Sequence, residues 1–253
     1  MAWYTKNMGK VCMLALLLAA LVLRAEEPQT QADSHDLGKD SVFCLTLTGL
    51  QVGVAAISED LYGLQLGFGT FSKDLSGVQL GALASADESI NGVQLGLFFA
   101  SAKQSAVGWQ HSFFFSSIGG GPTDIRKIDL ANAPKTPWAY GLQTAFIGGF
   151  VDRFGGVQIS FMGNTAFEIR GLQLAMFGAS AGEVKGLQAA ILPSAKSMVG
   201  IQIGCFNETE ELHGLQLGLW NRAKSGAGVQ IGIVNGFGPE GHVLWLPLVN
   251  ARF

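Results

Sequence analysis

The stretch Gly92–Phe98, with the sequence GVQLGLF, is one copy of a unit that occurs twelve times in a chain of 253 residues. Successive copies begin 14 to 16 residues apart, except for a single gap of 33 residues. The copies begin at Gly49, Gly63, Gly77, Gly92, Gly108, Gly141, Gly156, Gly171, Gly186, Gly200, Gly214 and Gly228. A period this regular indicates a repeat architecture, in which each unit packs on its neighbours.

Alignment of the copies on the opening Gly (position 0) gives columns of similar residues. Position +2 is always Gln, +4 is always Gly, Ala or Ser, and +1 and +3 are mostly Leu, Val or Ile. Alternation over +1, +3 and +5 predicts a strand with one apolar face, and with Gln and the small residue on the other face. An apolar residue at −2 is out of phase with this pattern. The chain is therefore expected to turn or bulge at the repeat Gly, where a positive φ costs little.

Two all-β architectures fit these columns. In a β-solenoid of about twelve coils of 14–15 residues, the Leu, Val and Ile columns stack inside and the Gln side chains form a ladder from coil to coil. In an outer-membrane β-barrel, each repeat is one strand with its apolar residues facing lipid. A barrel would alternate short turns with long loops, which these spacings do not do, and Ala at −5 and Leu at −2 suit the return wall of a coil. The terminal Phe253 is typical of barrels, but the solenoid is the favoured prediction.

The remaining sequence divides the chain into segments. We predict a signal peptide 1–25, a flexible lead-in 26–40, repeats one to five in 41–115, an insertion loop 116–140, repeats six to twelve in 141–237 and a C-terminal cap 238–253. The signal prediction rests on Lys6 and Lys10 before the thirteen-residue apolar run 11–23. The alternative is an uncleaved anchor, although thirteen residues fall short of the roughly 20 that span a bilayer. The chain is thus predicted to be exported to the cell envelope, meaning the outer membrane, the cell surface or the periplasm.

Two cysteines, Cys44 and Cys205, follow the predicted signal peptide. They would pair in an oxidising compartment, or they are two buried thiols. The second prediction is favoured because Cys205 occupies a column that the solenoid places in its core.

The composition excludes several functions. The net charge is −3 and basic residues do not cluster, so a nucleic-acid partner is not predicted. The four His are not spaced with other ligands as a metal site requires, and Gly119–Gly121 lacks the Lys and Ser or Thr of a phosphate loop. Acidic pairs such as Glu59-Asp60 precede the predicted turns and indicate a solvated edge. We predict a non-enzymatic protein without a cofactor.

The insertion is the candidate site for a protein or glycan partner, because insertions in repeat proteins form loops on one face, often the binding face. Its candidate contact residues are Asp124, Arg126, Lys127 and Trp138. The alternative is a tolerated insertion without a role. The Gln column could likewise bind a sugar or a peptide edge, but a ladder of hydrogen-bonded amides explains it without a ligand.

The units GLQLG, GVQLG and GIQIG, together with residues 247–250 (PLVN), resemble a family of bacterial surface-repeat proteins built on Gly-(Leu/Val)-Gln-(Leu/Ile)-Gly. The resemblance covers about residues 49–253. Such proteins occur in spirochaetes and other envelope-bearing bacteria and have no assigned activity. The resemblance implies a structural, adhesive or binding scaffold of the envelope. The alternative function is a membrane barrel with a role in transport.

Overall fold

The computed structural model describes residues 44–47, 49–119 and 136–253, which belong to one unit, Asp40–Phe253. The predicted signal peptide 1–25, the lead-in 26–40 and the candidate residues Asp124, Arg126 and Lys127 lie outside the described residues. The predictions made for them therefore remain predictions.

The described part of the chain is entirely β-structure joined by turns. Its strands are β1 (Cys44–Leu47), β2 (Leu50–Ala102), β3 (Ser105–Ser112), β4 (Phe115–Ile118), β5 (Ala139–Ala145), β6 (Gly148–Ser160), β7 (Gly163–Ala175), β8 (Gly178–Ala189), β9 (Leu192–Phe237) and β10 (Leu244–Arg252). No helix in these residues is long and apolar enough to cross a membrane.

The strands stack in parallel as the coils of a β-solenoid, which confirms the favoured fold. Six parallel pairings connect β2, β3, β5, β6, β7, β8 and β9 in chain order. The seven strands of this stack correspond to about seven turns of the solenoid, whereas twelve were predicted. The number is lower because β2 and β9 each run through several repeats without a break. The antiparallel arrangement of one strand per repeat, as in the barrel alternative, is not found in the described residues.

The Gln residues at +2 form the predicted ladder, but on the inner side of the coils. Every Gln from Gln65 to Gln230 donates its side-chain N–H to the amide oxygen of the Gln before it, over 2.6–3.0 Å. All twelve Gln side chains are buried. The bond from Gln143 to Gln110 shows that the coils on either side of the insertion stack directly on each other. The stack of described coils is therefore continuous from Gln110 to Gln143.

The orientation predicted for the apolar columns was wrong. The Leu, Val and Ile side chains at +1 and +3 point outward, and none of those 24 positions is buried. The narrow coil explains this, because one Gln spans its interior and also bonds the facing wall: Gln79, for example, donates to the carbonyl oxygen of Ser85 at 3.2 Å. Columns of Leu and Ile pointing inward would leave these carbonyl groups without donors.

The rest of the interior is apolar and follows the −5 and −2 columns, as predicted for the return wall. Ala166, Ala181 and Ala195 represent the first column, and Ile169, Val184 and Met198 the second. Residues at −2 are out of phase with the +1 and +3 columns, as the sequence indicated, and they are buried on the same side as the Gln at +2. The core thus has an aliphatic half and an amide half.

The predicted positive φ of the repeat Gly is confirmed at eleven of twelve copies, with Gly228 the exception. At Gly171 φ is 128°, and an added Cβ would lie 2.2 Å from the carbonyl oxygen of Gly156 in the preceding coil. The column is therefore restricted to Gly by both backbone conformation and close approach.

Both ends of the stack carry an antiparallel strand. At one end β1 pairs with the start of β2, and at the other β10 pairs with β9. Within β10, Asn250 is buried and lies opposite Gln230, the last member of the ladder. Such strands pair with the outermost coils, whose backbone N–H and C=O groups would otherwise be free to bind strands of other chains.

Candidate interaction surfaces

The outward columns +1 and +3 form a continuous apolar face, which we call the apolar face. Its rows are straight in the second half of the solenoid: Ile159 pairs with Leu174, Leu174 with Ala189, and Ala189 with Ile203, without a shift of register. The face carries no Asp, Glu, Lys or Arg at any of its 24 positions. Contiguous apolar surface of this extent is rare on soluble monomers, which makes the face a candidate contact site.

The two polar side chains among the 24 positions of the apolar face, His111 and Thr144, are hydrogen-bonded to each other. The Thr144 hydroxyl lies 2.7 Å from Nδ1 of His111, and Trp109 donates its indole N–H to the same hydroxyl over 3.2 Å.

An aromatic edge, formed by the outward residues at +5 and +6, borders the apolar face where the coil turns. Phe113, Phe146 and Phe161 stack on one another along the rod, with ring centroids 5.1 and 4.9 Å apart. Each of the three rings is more than two-fifths exposed. The edge therefore extends the apolar surface rather than closing a core.

A shallow groove of about 510 Å³ runs between the apolar face and the aromatic edge. The small residues at +4, such as Ala175 and Ala190, form its floor, and Ile159 and Ile203 contribute to its walls. Cys205 also lines the groove as a free, half-buried thiol. The prediction that it is a buried core thiol was wrong, because the +5 column lies on the outside of the coil. The Cys44 side chain lies outside the described positions.

Charged residues that precede several of the repeat Gly, such as Glu59-Asp60 and Glu210-Glu211, form the predicted solvated edge. Ion pairs connect neighbouring coils along it, including Lys73 with Glu88 at 3.4 Å and Lys224 with Glu210 at 3.3 Å. Attraction to Glu88 raises the pKa of Lys73, and the hydrogen bond to Glu210 raises that of Lys224. Exposed pairs of this kind contribute little stability. They keep this edge polar and distinguish it from the apolar face.

Trp138, the one described candidate of the insertion, is half-buried and belongs to a basic–aromatic cluster. The guanidinium groups of Arg153 and Arg170 lie 4.8 and 4.2 Å from its ring centroid, and Tyr140 stacks beside it at 6.3 Å. Arg153 also pairs with Glu168 over 3.3 Å. Two cations already contact the indole ring, so the cluster fixes Trp138 where the chain returns from the insertion.

Arg153 and Arg170 were not among the candidate residues predicted from the sequence, although the alignment of the repeats places them near Trp138. Trp138, Arg153 and Glu168 each stand three residues before a repeat Gly, so parallel stacking places them side by side. Arg170 belongs to the second coil after Trp138 and reaches it across Gly155. A Cβ at Gly155 would lie 2.7 Å from the Tyr140 ring, so the absence of a side chain there makes room for the cluster.

Clusters of side chains suited to catalysis or metal binding are scarce in the described residues. Among them, no group of three or more His, Cys, Asp and Glu side chains is arranged to hold a metal ion. The buried carboxylate of Asp152 lies against Gly119, where the chain leaves for the insertion. The surfaces of the described rod are therefore distinguished by contact chemistry, apolar on one side and ionic on another.

No protein-family model, curated protein or solved structure matches this chain.

Proposed function

We propose that this protein is an exported, non-enzymatic scaffold of the bacterial envelope that acts by binding through its outer surface. The observation that supports this best is the apolar face. It carries no charge at any of its 24 positions, whereas the solvated edge carries ion-paired charges before several of the repeat Gly.

Export is supported by the amino-terminal sequence, with its basic start and thirteen-residue apolar run. The repeat motif, similar to that of bacterial surface-repeat proteins, supports an envelope location. The insertion 116–140 stays a candidate second contact region, with Trp138 at its carboxyl-terminal end.

The proposal is tested by expressing the full chain in a bacterium with two membranes and fractionating the cells. We expect the chain in the envelope or periplasmic fraction. A photo-crosslinking amino acid placed at Leu172, on the apolar face, is expected to give a discrete adduct in these cells. The same amino acid at Ser225, outside that face, serves as the matched control and is expected to give none.

A cytoplasmic chain would contradict the proposal, and so would a chain that forms no adduct from Leu172. An adduct from Ser225 as strong as that from Leu172 would show that the apolar face is not the contact surface.

A further inference from the structure

We infer that the partner of the apolar face is a second copy of this chain, packed face to face as a two-fold dimer. The inference rests on the proposed function, since it names the partner of the surface described there. Two sheets packed in this way interdigitate their outward rows at a separation of about 10 Å.

The area available is sufficient for a stable dimer. The Gln ladder has twelve stacked members, which at a spacing of about 4.8 Å make a face roughly 53 Å long. The outward residues at +1, +3 and +5, which reach to the turn of the coil, make the contact surface about 14 Å wide. Each copy would then bury about 700 Å², or about 1,500 Å² in total, within the range for specific stable interfaces. Sheets of parallel strands are also rarely left uncovered on one side.

The shape of the face suits a copy of itself. The unshifted register of Ile159, Leu174, Ala189 and Ile203 aligns the outward residues in straight rows across four coils. Straight rows of similar aliphatic residues on one sheet fit between the equivalent rows of another sheet. At the ends of the stack, β10 pairs along the last repeat and β1 pairs with Leu50–Gly53 of the first, so part of each outer edge is already occupied.

The charges that border the face favour a second copy over a lipid surface. Arg170 and Lys185 stand one residue before a repeat Gly, and Glu168 and Glu183 stand three before, so both signs occur together. Peripheral attachment to anionic lipid relies on an excess of Lys and Arg beside the apolar surface. Here Glu183 pairs with Lys185 and Glu168 with Arg153 within the chain, so the border has no excess of cations to attract anionic lipid and no excess charge to repel an identical border.

The test is the mass in solution of the purified full chain, by light scattering or sedimentation, with and without a charge on the face. We expect the unchanged chain to have twice the mass of a single chain. Ile203→Arg introduces a charge at a side chain that is 39% exposed, and should raise the dissociation constant at least about 100-fold. Ile159→Arg, also 39% exposed, tests the same face three coils away.

The matched control is Val199→Arg, on the same strand as Ile203. Val199 is 41% exposed and pairs in register with Lys185, so its column already carries a cation. This variant should remain a dimer. Since the three side chains point outward, all variants should keep the circular dichroism of the unchanged chain.

A monomeric unchanged chain would overturn the inference, as would a dimer unaffected by both Ile203→Arg and Ile159→Arg. A monomer that floats with phosphatidylglycerol vesicles would assign the face to lipid instead. In cells, an adduct from Leu172 whose size differs from two chains would overturn the dimer and leave the proposed binding function intact.

Discussion

The side-chain amide of Gln94 donates a hydrogen bond of 2.7 Å to the amide oxygen of Gln79 in the preceding coil. Gln94 also donates to the carbonyl oxygen of Ser101 at 3.1 Å and accepts from Gln110 at 2.9 Å. One buried side chain thus connects two neighbouring coils and the facing wall of its own coil. Loss of one amide therefore leaves polar groups unpaired in several places.

Gln94→Leu preserves most of the side-chain volume and removes these bonds. We expect a loss of about 2–6 kcal/mol in the free energy of unfolding, because at least two buried groups lose their partners at about 1–3 kcal/mol each. Urea unfolding followed by circular dichroism measures it. Gln104→Leu is the control, since Gln104 is exposed and its substitution should change stability by less than about 0.5 kcal/mol. Equal effects of the two changes would show that the ladder adds no stability.

A second prediction concerns the repeat glycines. Gly171→Ala places a Cβ 2.2 Å from the carbonyl oxygen of Gly156, at a φ of 128° that Ala rarely adopts. The backbone of two coils must separate, so we expect a loss of more than about 4 kcal/mol, or failure to fold.

Gly178→Ala is the matched control for Gly171→Ala. An added Cβ at Gly178 meets nothing within 4 Å, and its φ is not in the positive range. That variant should be neutral or slightly more stable, because Ala reduces the freedom of the unfolded chain. Thermal unfolding of both variants provides the comparison, and a stable Gly171→Ala protein would contradict the stacking described for this column.

The sequence was sufficient to predict the solenoid, the Gln ladder and the positive φ of the repeat Gly. Each of these follows from a column in which nearly every copy keeps one residue type, so the repetition supplies the evidence that a single copy lacks. The Asn residues that follow +6 in the last three repeats also form a short ladder. Asn207 donates to Asn221 over 2.6 Å, and Asn221 donates to Asn235 over 2.7 Å.

The prediction from the sequence was wrong where it used hydrophobicity to decide which side of the strand is buried. Apolar residues at +1 and +3 suggested an inward face, and the Gln at +2 an outward one. In this narrow coil the requirement to pair buried carbonyl groups dominates, and Gln satisfies it while Leu cannot. The exposed face of Ile201 and Ile203 is consequently a candidate site that the sequence assigned to the core.

The third prediction is that substitutions in the Asn ladder are not additive in their effect on the free energy of unfolding. Asn221→Ala removes both of its amide–amide bonds and should cost about 1–3 kcal/mol. The triple variant N207A/N221A/N235A should cost less than three times as much, because it leaves no Asn with a lost partner. Ala already occupies the equivalent buried column at Ala84 and Ala179.

The exposed Asn91 provides the control for the Asn ladder, and Asn91→Ala should be nearly neutral. Urea unfolding of the single, triple and control variants is the measurement. A triple variant that loses the full sum of three single losses would show that the three amides act independently.

The fourth prediction uses the Cys205 thiol as a probe of the apolar face. Cys205 is half-buried and lines the groove beside Ile203, so a second copy packed on this face would shield it from reagents. We expect iodoacetamide to modify Cys205 at least about tenfold more slowly in the unchanged chain than in Ile159→Arg, since accessibility limits thiol reactivity. Peptide mass spectrometry separates Cys205 from the other thiols. Modification in denaturant, where both chains should react equally, is the control. Equal rates in the folded proteins would mean that nothing covers the groove, which would count against the face-to-face dimer even if the chain associates by another surface.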